Sequence, residues 1–317
     1  MKFLALLISV LFSFLLNSYQ PPCAITFEHG SRLGDMIVNY THAKWLSYKY
    51  DIPLLFKPFQ YSEQFEFHVK EKHFSRLDSY YTIHELRQLL DLQIAINKPT
   101  LFLVKHSPDS YEEHLAVNWG NPYVPVNWKD PGFKKLMCEL IKPRFDLNLI
   151  YPPENVISVA LHYRSGVGFD CELARRYHPL RFLLDEYYIE QLTTLHKLVN
   201  HEPMYVYIFT DHPDPRAVVN LFKPYFPDNI EFDCRKIENR HDLNVVEDLF
   251  SMTKFDCMIR PVSHYSIIAS HIADFKIEIY PAHKTGDIVD RVSIISNSTW
   301  NPITKKWEAL DQEIVHH

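Results

Sequence analysis

Between Val156 and Tyr280 the chain repeats one alternation, a short apolar run followed by a longer stretch that is apolar on one side only. Val156–His162, Met204–Thr210, Ile230–Asp233, Cys257–Arg260 and Lys276–Tyr280 read as strands. Tyr187–Asn200, Arg216–Phe222, Asn244–Thr253 and Ser263–Ala273 read as the helices between them. Helical crossovers return each strand in the same direction, so this order predicts a parallel sheet covered on both faces. Such a sheet places its ligand crevice outside the carboxyl ends of its strands. The polar residues at those ends therefore become the functional candidates.

The front of the chain opens in the same way. Ala24–Glu28 reads as a strand, His29–Asp35 as a loop, about Met36–Tyr50 as a helix stopped by Asp51-Ile52-Pro53, and Leu54–Phe59 as the next strand. Residues 60–98 carry weak periodicity and read as helical pieces and loops. Leu101–Lys105 is a further strand, Asn118–Asp130 an irregular surface loop suited to lining a cleft, and about Pro131–Lys142 a helix. Pro143–Glu154 is marked by prolines and is read as the boundary between two domains, 21–150 and 151–317, in keeping with a chain of 317 residues. The fold class expected is α/β, with two doubly wound layers.

Composition removes several classes. The formal net charge of −6 argues against general affinity for nucleic acid or anionic lipid, though a local basic pocket is compatible with it. The five cysteines contain no CxxC and no zinc spacing, and read as buried or free thiols, with a Cys171–Cys234 bridge left open. No HExxH, DxD, GxSxG or Walker loop is present, so metal, α/β-hydrolase and P-loop chemistry are not expected. Lys2 followed by apolar Phe3–Leu16 is too short for a spanning helix of about 20 residues and fits a signal peptide or short membrane anchor over residues 1–20. That segment predicts a secretory or membrane-associated location. Two sequons, at Asn39 and Asn297, matter only on a eukaryotic secretory route.

Three strands of the second half deliver polar clusters to one rim. His162-Tyr163-Arg164-Ser165-Gly166 follows the first, Thr210-Asp211-His212 the second, and Ser263-His264-Tyr265-Ser266 opens the helix after the fourth. A guanidinium beside helix-terminal amides and hydroxyls is chemistry for a diphosphate, because both offer donors and positive charge. A nucleotide-sugar donor follows as the expected ligand, with Arg164 taking up leaving-group charge. The ordinary alternatives are a core histidine for His162, a turn or cap for Asp211, a solvated helix face for Asp248 and a helix N-cap for Ser263.

These blocks resemble the GT-B fucosyltransferase superfamily, closest to the alpha-1,2-fucosyltransferase-like family and akin to the alpha-1,6- and protein O-fucosyltransferases. Ser158–Gly166 is similar to that family's strand ending in His-x-Arg-Arg-Gly-Asp, and Tyr207–Asp211 to its strand ending in Phe-Ser/Thr-Asp. Glu247–Met252 and Ser263–Ala269 resemble its Asp-Leu helix and Ser-x-Phe-Ser-Trp-Trp-Ala segment, and Lys276–Pro281 its closing strand. Ser31–Asp35 resembles its Gly-Leu-Gly-Asn/Asp loop, so the likeness spans about 24–282.

The resemblance implies two Rossmann-like domains facing across a cleft, GDP-fucose bound by the second without a metal or other cofactor, and a glycan acceptor lying against the first. It implies transfer of fucose to a sugar hydroxyl with inversion. Arg164 and His162 map to the catalytic and donor-binding positions, Asp248, Ser263 and Ser266 to donor binding, with Asp211 beside them, and Gly34 and Asp35 to the acceptor-side loop. The departures are Ser165 in place of the family's second arginine, Gly166-Val167 for Gly-Asp, Arg32 for a glycine, and Ile267-Ile268 for the tryptophan pair. Losing a guanidinium removes a charged hydrogen bond of roughly 1.5–3 kcal/mol, and Arg175 or Arg176 is the expected substitute. Asp35 and Asp170 are the candidate bases. The alternatives are a degenerate relative that binds a nucleotide sugar or glycan without turnover, and a transferase for another nucleotide sugar.

Overall fold

The structure, a computed structural model, describes residues 23–27, 32–74, 82–85, 100–104, 126–166, 178, 180–236, 239, 242–285 and 288–316. In chain order the elements are β1 (Cys23–Phe27), α1 (Leu33–Tyr50), α2 (Phe67–Lys70), β2 (Thr82–Glu85), β3 (Thr100–Val104), α3 (Pro131–Leu140), β4 (Ile157–Tyr163) and α4 (Asp185–Leu198). They continue as β5 (Met204–Thr210), α5 (Pro215–Phe222), β6 (Ile230–Cys234), α6 (Val245–Met252), β7 (Cys257–Ile259), α7 (His264–Ile272), β8 (Ile277–Thr285), β9 (Ile288–Asn301) and β10 (Lys306–His316). Local chemistry sets several starts. Asp130 accepts from the Phe133 amide with Pro131 opening α3, and Asp214 accepts from the Arg216 and Ala217 amides with Pro215 opening α5.

In the first half β1, β3 and β2 form a parallel sheet in the order β1-β3-β2. The expected strand at Leu54–Phe59 does not form. Leu54 and Phe56 make only isolated bridges, to Ile25 and His73, because Pro53 and Pro58 have no amide to donate. The apolar side chains of Leu54, Leu55 and Phe56 are nonetheless buried. Within 60–98, a short 3-10 turn at Ser62–Gln64 and α2 agree with the expectation of helical pieces, but β2 is an unexpected strand.

The second half is a seven-stranded sheet ordered β10-β9-β8-β7-β4-β5-β6. From β8 to β6 neighbouring strands are parallel. The chain winds outward from β4 through β5 to β6, then returns to the other side of β4 for β7 and β8. The reversal of direction between β4 and β7 is a topological switch point, where a crevice must open. The expectation that Lys276–Tyr280 closes the sheet is wrong. β8 runs on to Thr285, and β9 and β10 add an antiparallel hairpin, so the sheet is mixed.

Strand alternation sorts side chains onto two cores. Val159 and Leu161 of β4, with Val206 and Ile208 of β5, face the cluster that includes Leu192 of α4 and Phe222 of α5. Ala160, Tyr205, Tyr207 and Phe209 face the other way, into an apolar core that continues through Phe250 and Met258 to Phe65, Phe67, Phe56 and Tyr40. Phe65 stacks on Phe67 at 5.0 Å and touches Phe250 at 5.8 Å, so aromatic packing joins the two halves.

The 1–20 segment, Asp170, Cys171, Arg175, Arg176 and the stretch 118–125 lie outside the described residues. Among the described residues no helix is long and apolar enough to cross a membrane. Cys138, Cys234 and Cys257 carry free thiols. Of the two sequons, Asn39 is 3% exposed within α1, whereas Asn297 is exposed on β9.

Candidate functional site

β4 and β5 run side by side, and each ends in a residue with polar neighbours beyond it. Asp211 follows β5 and is 8% exposed, yet its Oδ1 accepts from the Ser165 amide at 2.8 Å, the Ser165 hydroxyl at 3.0 Å and the Gly166 amide at 3.4 Å. Gly166 takes a positive φ of 81°, which lets the chain turn back there. The other Asp211 oxygen lies 2.8 Å from Nη1 of Arg164. Asp211 therefore shapes the loop after β4 and aims Arg164. It does so in place of the turn or cap that Asp-x-Pro-Asp-Pro suggests, a job done instead by Asp214.

Arg164 is in an ion pair but does not turn from the crevice. With Asp211 and His162 it lines a cavity of about 330 Å³, in the size range of small-ligand pockets. Two further guanidiniums line the same wall, Arg32 just before α1 and Arg181 just before α4. Burial and the neighbouring Arg164 charge lower the Arg32 pKa, while Asp211 and Asp35 oppose that shift. Neither Arg32 nor Arg181 was among the expected site residues. The only sequence signal for Arg32 was its departure from glycine at the head of Leu33-Gly34-Asp35.

His162 is 4% exposed and faces the cavity on the side of the aromatic core. Burial, reinforced by the Arg164 charge, lowers its pKa to about 3, so it is neutral at physiological pH. Its ring lies 5.8 Å from that of Tyr265. Asp248 is not on a solvated face. It lines the cavity from α6, is held by Arg235, and has its pKa raised by burial to about 6 against the pull of that arginine. Arg235 is another residue that sequence reasoning missed.

At the same cavity, Gly34 and Asp35 open α1 against the start of α7. A Cβ on Gly34 would lie 2.5 Å from the Tyr265 nitrogen, so the two helix starts approach as closely as backbone permits. Asp35 Oδ1 lies 2.5 Å from Nδ1 of His264, whose side chain is 4% exposed. Ser263 occupies the N-cap position of α7 without a side-chain capping bond and lines the cavity. Ser266 departs from expectation. It is fully buried and donates to the Ser263 carbonyl at 3.2 Å, so it faces the helix rather than the cavity.

The cavity thus gathers Gly34, Asp35, His162, Arg164, Asp211, Asp248 and Ser263, but not Ser266. Among the described residues, no group of three or more His, Cys, Asp or Glu side chains is placed to hold a metal ion. Three guanidiniums and two helix starts converging at a switch point suit a compact polyanion bearing an uncharged portion.

No protein-family profile matches the sequence, and no curated protein matches it either. Solved structures do match by shape. An arginine-to-lysine mutant of Arabidopsis thaliana FUT1 in complex with GDP superposes with a TM-score of 0.55 at 11% identity, covering 90% of this chain and 78% of that one. POFUT1 in complex with GDP-fucose gives 0.47 at 11% identity, over 81% of this chain and 96% of that one. NodZ alpha-1,6-fucosyltransferase soaked with GDP-fucose gives 0.42 at 13%, over 86% and 99%. The chain thus shares the fold of the FUT1 structure, a GT-B architecture.

Proposed function

We propose that this protein is a glycosyltransferase that moves fucose from GDP-fucose to a hydroxyl of a glycan acceptor, with inversion at the anomeric carbon. The observation that carries the reading is the set of Arg32, Arg164 and Arg181 on one wall of the switch-point cavity. The FUT1 structure that shares the fold is in complex with GDP, and a nucleoside diphosphate is the polyanion this wall suits. As the sugar–phosphate bond breaks, its electron pair passes to the diphosphate, and guanidiniums already in place stabilise that charge without rearranging. Arg32 and Arg181 supply the positive charge that Ser165 does not. Neutral His162 and the Arg235–Asp248 pair border the donor pocket, and the acceptor enters from the side of residues 21–150.

The test is GDP release from GDP-fucose by the purified chain, alone and with a panel of oligosaccharides, beside GDP-mannose, UDP-sugars and CMP-sugars. GDP release with fucose transfer supports the reading, and release from another donor redirects it to that sugar. A second reading, donor binding without turnover, is favoured by one observation: Asp211 already neutralises Arg164. GDP binding with no GDP release from any donor selects it.

A further inference from the structure

We infer that His264 is the base that takes the acceptor hydroxyl's proton, and that Asp35 is the positioning residue that orients its imidazole. The assignment rests on the transfer reading above. It comes from one contact between residues 229 positions apart, Asp35 Oδ1 to His264 Nδ1 at 2.5 Å. Both residues line the cavity.

A base for this reaction must be within reach of the hydroxyl it deprotonates. The meeting of α1 and α7 brings one helix from each half to the cavity, with Asp35 on the first and His264 on the second. An imidazole whose Nδ1 donates to a carboxylate has Nε2 as its basic nitrogen. The carboxylate fixes that tautomer and stabilises the imidazolium that forms, the division of labour of a histidine–aspartate couple in acyl transfer. Arg32 lies close enough to Asp35 for their charges to interact.

Three other titratable groups in the cavity are poorly placed for the role. His162 is held neutral by burial beside Arg164, which opposes the positive charge a base acquires. Asp211 is committed to Arg164 and to the loop amides. Asp248 is clasped by Arg235. The acceptor oxygen bonds to the anomeric carbon, its proton passes to Nε2 of His264, and the carbon–oxygen bond to the diphosphate breaks with its electron pair leaving on GDP.

The experiment follows GDP release from GDP-fucose by the full chain, with water and with the oligosaccharide panel as acceptors, against pH. GDP affinity is measured in parallel by thermal shift. His264→Gln is expected to lower kcat by about 10²–10⁴-fold with GDP affinity unchanged, and to abolish the acid limb of the kcat profile. Asp35→Asn is expected to lower kcat by a smaller factor while keeping a displaced acid limb. Wild-type kcat in His264→Gln, a retained acid limb in that variant, or equal losses of kcat and GDP affinity would each overturn the assignment while leaving the transfer reading intact. A wild-type chain that binds GDP and releases none from GDP-fucose overturns the transfer reading, and this one with it.

Discussion

Gly34 and Tyr265 meet backbone to backbone, so closely that the smallest side chain on Gly34 would fall 2.5 Å from the Tyr265 nitrogen. The contact joins the first turn of α1 to the first turn of α7 and sets the width of the cavity between the halves. Gly34→Ala must push the two helices apart, and backbone atoms yield less readily than a flexible side chain. The expected loss of stability is about 1–3 kcal/mol, read as a lower urea midpoint at unchanged slope. An unchanged midpoint would show that the junction is looser than the geometry states.

The arginine wall predicts graded losses of nucleotide affinity. Arg181→Ala and Arg32→Ala should each weaken GDP binding by about 10-fold or more, the loss of one charged hydrogen bond. Arg164→Lys keeps a charge but not the planar fork held by Asp211, and should lose a comparable factor. Calorimetric titration with GDP checks all three. Equal affinity in all three variants would remove the diphosphate from this wall.

Asp248 gives a pH prediction of definite sign. Its folded pKa, about 6, lies above its ordinary 3.8. Its contribution to stability is therefore full below pH 3.8 and is lost as pH rises through about 6. The shift corresponds to about 3 kcal/mol. Asp248→Asn should gain stability relative to the wild type across that window, and chemical denaturation at pH 4 and pH 7 reads the difference. A gap that stays constant with pH would place the carboxylate in water.

His162 acts in the opposite direction. Burial depresses its folded pKa from 6.5 to about 3, so its contribution is present above pH 6.5 and is lost as pH falls toward 3. His271, also buried and lowered to about 3, adds to the effect. The two histidines together take up two protons on unfolding in this window, a contribution near about 2.7 kcal/mol per pH unit, against which Asp248 releases one between pH 3.8 and about 6. His162→Gln should remove half of the histidine contribution, lowering the slope by about 1.4 kcal/mol per pH unit in a pH series of unfolding free energies.

Much of the second half is readable from the sequence, because fully buried parallel strands must be continuous apolar runs, as Val159–Leu161 and Val206–Phe209 are. Residues at their ends follow from topology alone, as His162, Arg164 and Asp211 do. The missed elements lack that signature. β2 is four residues of mixed character, Thr82–Glu85, and β9 buries Ser293, Ser296 and Ser298 among its apolar residues. The missed site residues depend on contacts distant in sequence. Nothing near Asp35 indicates His264, and nothing in the Asp-Leu helix indicates that Arg235, on the far side of a loop, clasps Asp248. Ser266 was misplaced because its helical phase, one position beyond Tyr265, turns it inward.

The hairpin of β9 and β10 also governs when the sheet can be finished. β8 pairs on one side with β7 and on the other with β9, which in turn is flanked by β10. During synthesis those two ribbons emerge after β8, so until then β8 presents a bare row of amides and carbonyls. A nascent chain halted before Ile288 would carry an open edge able to recruit strands from its neighbours.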